Sequence, residues 1–378
     1  MTSRIALLSL LLCFCLACDD DADNVQPDRF AYYIIGGEGL HRQWLYTHRD
    51  ETVFEGDVRW LSTVADNGIV LFRSHSAEGM QLWGRCDNGS ILAVPMPISS
   101  DVQRETLLDE AEPALSRAGH HAAFVVWDKL KTSTDSSTWS ARLCLFDCAA
   151  WRMESADVTA FLRERFPAEL SEAFRLRCEA VWLSADGATA LLGIIVIQAA
   201  DSNLRNFAAL LRYRNGQLET FPGYETFADL TFTRNNIFDP ATGVLYASAW
   251  NEQGRHLRTL AFDATSLGVR EVGFVPYLEH ASHRVTAGSS EYIDWNSSEV
   301  LLRPIAGGLS ATELLPFTAV VQDLSISPDA AWFAMRAKTT ENDDAWIVAQ
   351  RGGGIQRVIA RGKLSGPLAL SRELSNPR

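Results

Sequence analysis

The stretch Leu364-Ser-Gly-Pro-Leu-Ala-Leu-Ser371 has the pattern of a short apolar strand, and only residues 372–378 follow it in the sequence. A strand with nothing after it must find a partner elsewhere, because unpaired strand edges are a liability. The natural partner is Phe30-Ala-Tyr-Tyr-Ile-Ile35, which likewise has no strand before it. We therefore expect these two segments to pair within one sheet and to close a ring.

Two internal segments contain the same pair of strands joined by a tight turn. Ser184-Ala-Asp-Gly187 precedes the apolar run Leu191–Ile195, and Ser327-Pro-Asp329 precedes Trp332–Met335. In such turns an Asx side chain bonds to the following backbone N–H groups, and glycine supplies the positive φ. Aligning the residue that ends each inner strand gives seven equivalent positions: Ser62, Ser116, Ser184, Thr233, Ala287, Ser327 and Ser371.

Units of roughly 40–50 residues with several short strands each are typical of a β-propeller. The sequence therefore predicts an all-β fold, a single propeller over residues 30–371 with about seven four-stranded blades. Six blades remain the alternative, because the units at 227–272 and 277–317 are degenerate. The C-terminal strand is expected to close the ring by pairing with the N-terminal strands.

One segment, at about residues 156–175, interrupts the strand pattern. Asp157 is a suitable N-cap, and the apolar residues that follow it recur at helical spacing. Pro167 should end this helix, and Ala168–Phe174 should form a second short one. We expect the insertion to pack on a blade edge; a lid over one face of the ring is the alternative.

The best-matching turn, Ser327-Pro-Asp329 followed by Trp332-Phe-Ala334, resembles the TolB-like, WD40-like propeller repeat. The signature of that repeat is Ser-Pro-Asp-Gly before a short apolar strand, and here Ala330 replaces the glycine. Ser184-Ala-Asp-Gly187 lacks the proline. The resemblance covers about residues 30–371, and it implies a fold without implying a particular function.

The N-terminus has the features of a targeting segment, with residues 1–17 as a signal peptide. Arg4 is followed by the apolar run Ile5–Leu16, which is too short to span a bilayer comfortably. Cys15-Leu-Ala-Cys18 resembles a bacterial lipobox, although Cys15 stands where leucine is usual. That resemblance implies a lipid on Cys18 and a membrane anchor; an ordinary secretory peptide cut near Ala17 is the alternative.

This N-terminus predicts a location in the bacterial cell envelope, lipid-anchored on the periplasmic or surface face of a membrane. Residues 18–29 are polar and acidic, as in a flexible tether, and residues 372–378 form a tail. With the signal peptide removed and Cys18 acylated, the cysteines that remain are Cys86, Cys144, Cys148 and Cys178.

An even number of cysteines in an exported protein permits two disulfides. Positions within the repeats favour Cys86–Cys148 and Cys144–Cys178, while the Cys144-x-x-x-Cys148 spacing leaves zinc as the rival. Zinc is disfavoured because there is no second close pair of cysteines.

The sequence carries few signs of catalytic chemistry. It contains no Gly-x-Ser-x-Gly nucleophile motif and no Walker loop. His280-x-x-His283 is a weak metal candidate near the expected channel mouth, and Asp109-Glu110-Glu112 is typical of a solvated acidic turn. No cofactor is expected. The net charge of −13 excludes nucleic acid as a natural partner.

These features favour a non-enzymatic, monomeric scaffold whose propeller binds another envelope protein or a glycan. The alternative is a periplasmic carbohydrate-active hydrolase or lyase with its site at the channel mouth. Histidine and acidic side chains that converge there would favour the enzyme. Tryptophans near strand ends (Trp127, Trp139, Trp250 and Trp295) are candidates for a binding rim.

Overall fold

The computed structural model describes residues 29–77, 79–85, 89–99, 101–133, 135, 138–170, 173–199, 204–228, 230, 232, 236–250, 257–272, 284–285, 291–295, 300–304, 313–314, 321–338, 344–352 and 356–371. Over these residues the chain is an all-β propeller. Its strands form antiparallel sheets, which we number 1 to 7 around the ring. Within each sheet the strands are given in order from the inner strand to the outer strand.

The described strands make seven sheets. Sheet 1 contains Leu364–Leu370, Phe30–Ile35, Gly39–Trp44 and Asp50–Glu55. Sheet 2 contains Asp57–Leu61, Val70–Ser76, Gly79–Arg85 and Ile91–Ala93. Sheet 3 contains Arg104–Leu108, Ala114–Leu115, His121–Leu130, Ser140–Asp147 and Arg152–Asp157. Sheet 4 contains Phe174–Leu183, Thr189–Gln198, Phe207–Arg214 and Gln217–Thr220.

The remaining three sheets complete the series. Sheet 5 contains Ile237–Asp239, Val244–Trp250, Leu257–Asp263 and Val269–Val272. Sheet 6 contains Arg284–Val285, Glu291–Trp295, Val300–Pro304 and Glu313–Leu314. Sheet 7 contains Val321–Ile326, Trp332–Lys338, Asp344–Gln350 and Gln356–Gly362. The described part of the chain therefore supplies one sheet for each of the seven expected units.

Sheet 1 is built from both ends of the sequence, as the terminal strands predicted. Leu364–Leu370 pairs antiparallel with Phe30–Ile35, and the register aligns Ala31 with Leu370 and Ile35 with Leu364. The register shifts once between those two ends. Since Leu364–Leu370 also lies beside the inner strands of sheets 2 and 7, the split sheet joins the first and last units.

The serine that ends each inner strand makes the same pair of hydrogen bonds in every described case. The Ser184 backbone N–H donates to the Thr189 carbonyl at 2.9 Å, and the Thr189 N–H donates to Ser184 Oγ at 3.0 Å. The same reciprocal pair joins four further positions to the next strand: Ser62 to Leu71, Ser116 to His121, Ser327 to Trp332, and Ser371 to Phe30. The predicted equivalent in sheet 5 is wrong, because Thr233 precedes the inner strand Ile237–Asp239 instead of ending it. Ala287 lies outside the described residues.

Apolar side chains fill the spaces between neighbouring sheets. Four tryptophans are buried there: Trp60, Trp182, Trp332 and Trp346. Burial of such large aromatic surfaces is a main source of stability when sheets pack face to face. The core is thus a series of interfaces around a ring.

A single α-helix is present in the described residues, α1 at Val158–Arg165. Its N-cap is Asp157, whose Oδ1 accepts a 2.8 Å hydrogen bond from the Ala160 N–H. Val158 and Leu162 are fully buried between sheets 3 and 4, so the helix packs on a blade edge. The predicted second helix is wrong: residues 167–170 form a turn, and Phe174 already begins the inner strand of sheet 4.

In the portion of the chain that the structure describes, no helix combines the length and apolar character needed to cross a bilayer.

Candidate functional site

The inner strand of sheet 3 is interrupted at the axis of the ring. Arg104–Leu108 and Ala114–Leu115 both pair with His121–Leu130, but residues 109–113 between them bulge out of the ladder. Leu108 aligns with Val126 and Ala114 with Ala123, so five residues on one strand oppose two on the other. We call residues 109–113 the acidic bulge. Bulges of this kind re-aim side chains next to functional sites.

Buried hydrogen bonds hold the acidic bulge in place. Asp109 is 8% exposed, and its carboxylate accepts hydrogen bonds from Trp127 Nε1 and, at 2.6 Å, from the Ala111 N–H. From sheet 2, Arg73 Nη1 donates to the carbonyl oxygens of Asp109 and Glu110, at 3.2 and 2.9 Å. The bulge is therefore fastened both to the second strand of its own sheet and to the neighbouring sheet 2.

These contacts correct the expectation of a solvated acidic turn. Burial raises the pKa of Asp109, against the lowering effect of its hydrogen bonds from Ala111 and Trp127. Burial likewise lowers the pKa of Arg73, which its acidic neighbours partly offset. Glu110, by contrast, is exposed as expected. Asp109 is thus a structural carboxylate, whereas Glu110 is exposed and Glu112 is half-buried.

A cavity of about 1260 Å³ opens beside the acidic bulge. Sheet 2 contributes Arg59, Trp60, Arg73, His75 and Met80; sheet 3 contributes the bulge, Trp127 and Trp139; sheet 4 contributes Leu176 to Glu179; and sheet 7 contributes Asp323 and Arg336. Sheet 7 is not adjacent to sheets 3 and 4 in the ring. The cavity therefore lies on the ring axis, and we call it the axial cavity.

The strand registers show on which side of the ring the axial cavity opens. Its residues lie where inner strands begin and second strands end, as in the Asp57–His75 pair of sheet 2. The repeated serines lie at the opposite ends of the same strands, on what we call the turn face. Arg29 lies on that face, because it contacts Asp329 in the turn of sheet 7. The chain thus enters the propeller opposite the axial cavity.

The lining of the axial cavity carries charges of both signs. Two of its arginines are paired along their own strands, Arg59 with Asp57 at 2.7 Å and Arg177 with Glu179. Arg336 donates to the Leu364 carbonyl at 3.3 Å. Most of the positive charge is therefore held by acceptors of the protein itself.

Two tryptophans form an aromatic wall of the axial cavity. Trp127 and Trp139 pack edge to face with their ring centroids 6.1 Å apart, and Lys129 Nζ lies 5.5 Å from the Trp139 ring centroid. The Trp139 indole N–H is buried and has no acceptor among the described residues. Both residues are predicted candidates for a binding rim, and the structure brings them together beside Asp109.

Other predicted site residues fall elsewhere. Cys18, Cys86, His280 and His283 lie outside the described residues, so lipidation, the Cys86–Cys148 bond and the histidine pair stay predictions. In the part of the chain that is described, no group of three or more histidine, cysteine or acidic side chains could hold a metal ion. Trp250 and Trp295 lie in strands, and their side chains are not described.

The predicted Cys144–Cys178 disulfide is not present, since both thiols are free. Cys144 packs with Phe124 between sheets 2 and 3, whereas Cys178 packs with Val125 between sheets 3 and 4. Successive residues of a strand point to opposite faces, so sheet 3 separates the two sulfurs. Burial raises the pKa of the Cys144 thiol to about 12 and raises that of Cys178 well above its usual range.

Comparisons with known proteins identify the architecture alone. No family model and no curated protein matches the chain. Among solved structures it is similar to the β-propeller domain of the Trilobed protease from Pyrococcus furiosus, which is described as having an open velcro topology. The identity is 9%, the TM-score is 0.53, and the match covers 89% of this chain and 93% of that one.

Two more structural neighbours support the same conclusion. Prolyl oligopeptidase B from Galerina marginata is 10% identical with a TM-score of 0.54, and the match covers 88% of this chain but only 49% of that enzyme. A functionally unknown protein from Desulfotomaculum acetoxidans is 9% identical with a TM-score of 0.50, over 90% of this chain and 98% of that one. At these identities the likeness defines the class, a β-propeller protein, and no activity.

Proposed function

We propose that the protein is a non-enzymatic lipoprotein of the bacterial cell envelope whose propeller binds another envelope protein or a glycan. The observation that carries this proposal is the axial cavity, with its acidic bulge, paired arginines and aromatic wall. Concave sites with a few fixed polar groups are the usual form of a binding site. Similarity to propeller domains of peptidases fits a scaffold role, because such rings present loops and a channel mouth to a partner.

The position of Arg29 supports an anchored scaffold. Arg29 is the last residue of the proposed tether, residues 18–29, and it lies on the turn face. A lipid on Cys18 would attach the propeller to the membrane through the turn face, opposite the axial cavity. An anchored monomer would then offer its cavity to large partners.

The carbohydrate-active hydrolase or lyase has less support. Such an enzyme needs two carboxylates that reach the substrate across a cleft. Both oxygens of Asp109 are engaged by Trp127 and Ala111. The carboxylate with the raised pKa, which would be the natural general acid, is therefore the one tied into the fold.

Capture from detergent-solubilised envelope, with the lipidated chain as bait, tests the proposal. His75→Trp places bulk at an exposed position of the axial cavity, and His120→Trp makes the same change at an exposed position beside the turn of sheet 3, on the turn face. We expect the wild type to capture an envelope protein in stoichiometric amount or to be retained on a glycan column. The His75→Trp variant should lose this binding, and the His120→Trp variant should keep it. Equal behaviour of the two variants, or no ligand of either kind, would contradict the proposal.

A further inference from the structure

Two aromatic side chains of the propeller are exposed to solvent. Among the residues whose burial is described, Tyr46 and Trp151 are the only exposed tyrosine, tryptophan or phenylalanine side chains, at 44% and 42%. Each lies in the turn between the third and outer strands of its sheet: Tyr46 follows Gly39–Trp44 in sheet 1, and Trp151 follows Ser140–Asp147 in sheet 3. The two rings therefore occupy equivalent positions in two blades.

Strand register places both turns on the turn face. At the ends of the two third strands, Trp44 pairs with Phe30 and Asp147 pairs with His121. Phe30 and His121 begin the second strands of their sheets, where their backbone N–H groups donate to the repeated serines that define the turn face. Both exposed rings thus lie on the side of the propeller opposite the axial cavity.

Each exposed ring is fixed by a buried one. Tyr46 packs edge to face on Trp332, with ring centroids 6.1 Å apart and an interplanar angle of 83°. Trp151 packs in the same way on Phe146, at 5.0 Å and 79°. Trp332 and Phe146 are each 1% exposed, so both belong to the core. One side of each ring is therefore held by the fold while the rest is presented to solvent.

The backbone at Trp151 indicates that its side chain has a role. Its φ of +50° is unfavourable for a bulky residue and is usually adopted by glycine or asparagine. The turn is nevertheless well held, because Asp147 Oδ1 accepts hydrogen bonds from the Ala149 and Ala150 N–H groups at 2.9 and 2.8 Å. An exposed tryptophan in a strained conformation favours a function for the ring itself.

The turn that carries Tyr46 is bonded directly to the end of the proposed tether. The Leu45 N–H donates to the Arg29 carbonyl at 2.6 Å. Residues 19–28 separate Cys18 from Arg29. A flexible segment of about ten residues spans roughly 20 Å on average and about 35 Å at full extension. A lipid on Cys18 would therefore keep the turn face within reach of the membrane surface.

Charged side chains next to the two rings have partners within the fold. Beside Trp151, Arg152 lies 3.2 Å from Glu154, and beside Tyr46 the Arg49 guanidinium lies 4.8 Å from the centroid of the Trp44 ring. Paired charges of this kind are compatible with zwitterionic headgroups. The net charge of −13, by contrast, disfavours a strongly anionic membrane.

Resting on the proposed function, we propose that Tyr46 and Trp151 lie in the headgroup region of the membrane that carries the lipid anchor. The partner of the turn face is thus a bilayer surface. Tyrosine and tryptophan are enriched at that depth, because each combines an apolar body with a polar tip. Two ring contacts on different blades, together with the tether, orient the propeller so that the axial cavity opens away from the membrane.

Hydroxyl-radical footprinting on vesicles tests this inference. A chain of residues 19–378 with an N-terminal hexahistidine tag is held on phosphatidylcholine vesicles by a nickel-chelating lipid, so the tether is attached whether or not Cys18 is acylated in the cell. We expect oxidation of Tyr46 and Trp151 to be about threefold slower on vesicles than in buffer, because the interface excludes bulk water from the rings. Met96, half-buried beside the axial cavity, should be oxidised equally in both.

Two variants test whether the rings act together. Tyr46→Ser should reduce the protection of Trp151, and Trp151→Ser should reduce that of Tyr46, since each ring helps to hold the other against the bilayer. The matched control is Val102→Ser, which removes an exposed side chain from the loop between the outer strand of sheet 2 and the inner strand of sheet 3, on the cavity side. It should leave both protections unchanged.

Equal oxidation on vesicles and in buffer, or equal protection of Met96, would overturn the inference. Protection of the rings that appears only after envelope extract is added would also overturn it, and would assign them to a protein partner. Failure of the proposed function is measured separately. The mass of the mature chain shows whether Cys18 carries a lipid, and envelope capture with His75→Trp reports on the axial cavity, whereas the footprint reports on the turn face alone.

Discussion

Arg29 and Asp329 form a bidentate ion pair at the place where the ring closes. Arg29 Nη1 donates to Asp329 Oδ1 at 3.0 Å and Nη2 to Oδ2 at 2.5 Å, although 300 residues separate them in sequence. The Arg29 side chain is 5% exposed and that of Asp329 is 33% exposed. Paired donors in this geometry are the strong form of an ion pair. The contact joins the start of the described chain to the turn of sheet 7.

We expect Arg29→Ala to lower the free energy of unfolding by about 2 kcal/mol, because it leaves a partly buried carboxylate without its partner. Chemical denaturation of Arg29→Ala, Asp329→Ala and the double variant measures the coupling between the two residues. A coupling of about 1 kcal/mol or more is expected. Strict additivity would show that the pair does not hold the ring.

The Arg29–Asp329 ion pair makes the free energy of unfolding depend on pH. Burial would raise the pKa of Asp329, but hydrogen bonds from Arg29 and Ser327 hold it at about 2, below its ordinary 3.8. A carboxyl whose pKa is lower in the folded state stabilises the fold above pH 3.8 and loses that contribution as the pH falls toward 2. Thermal melting should therefore show a steeper loss between pH 4 and 2 for the wild type than for Arg29→Ala. Parallel curves would contradict this.

Ser371 and Ser116 should be energetically equivalent, because both are fully buried. Each side chain accepts a 3.0 Å hydrogen bond from the next strand, which is adjacent in sequence for Ser116 and comes from Phe30 for Ser371. Substitution by alanine leaves a backbone N–H without its acceptor, at a cost of about 1–2 kcal/mol. We expect similar losses for Ser116→Ala and Ser371→Ala in denaturant titrations. A negligible effect of Ser371→Ala would mean that the terminal strands only lie near each other.

Alanine substitutions at two glycines distinguish the cost of a positive φ from the cost of a steric clash between blades. Gly187 and Gly216 have φ values of +74° and +78°, but only at Gly187 would a Cβ meet a neighbour, His121 Nδ1 at 2.3 Å. Gly216→Ala should cost about 1 kcal/mol from positive φ alone. Gly187→Ala should cost clearly more, because sheet 4 must also move away from sheet 3. Equal melting temperatures for the two variants would show that this blade contact is loose.

The sequence predicted the parts of this fold that depend on local chemistry. Ser184 and Ser327 mark tight hairpins, and the same pattern, split between Ser371 and Phe30, was enough to predict the closure. Of the two helices predicted for the insertion, only the first is present. Residues 167–170 form a turn instead, because Leu170 and Phe174 pack in the apolar core between sheets 3 and 4, and this packing outweighs helix propensity.

The candidate site was less accessible to sequence reasoning. Asp109 looked like a member of a solvated acidic turn, since nothing local reveals that Trp127 and Arg73 surround it. Pro113 is the sequence feature that could have indicated the bulge. It interrupts the strand pattern between Leu108 and Ala114, and proline is unsuited to a regular inner strand. The axial cavity brings together four sheets from distant parts of the chain, so its composition requires the three-dimensional ring.

Assignment of the turn face and of the axial cavity depends on closure by the terminal strands, and one truncation tests it most directly. A chain ending at residue 363 lacks the strand Leu364–Leu370, whereas a control chain ending at residue 371 keeps it. Thermal melting with size-exclusion chromatography compares the two. We predict that the control melts cooperatively as a monomer, while the shorter chain loses that transition or associates through the exposed edge of Phe30–Ile35. A shorter chain that melts like the control and stays monomeric would contradict the closed ring.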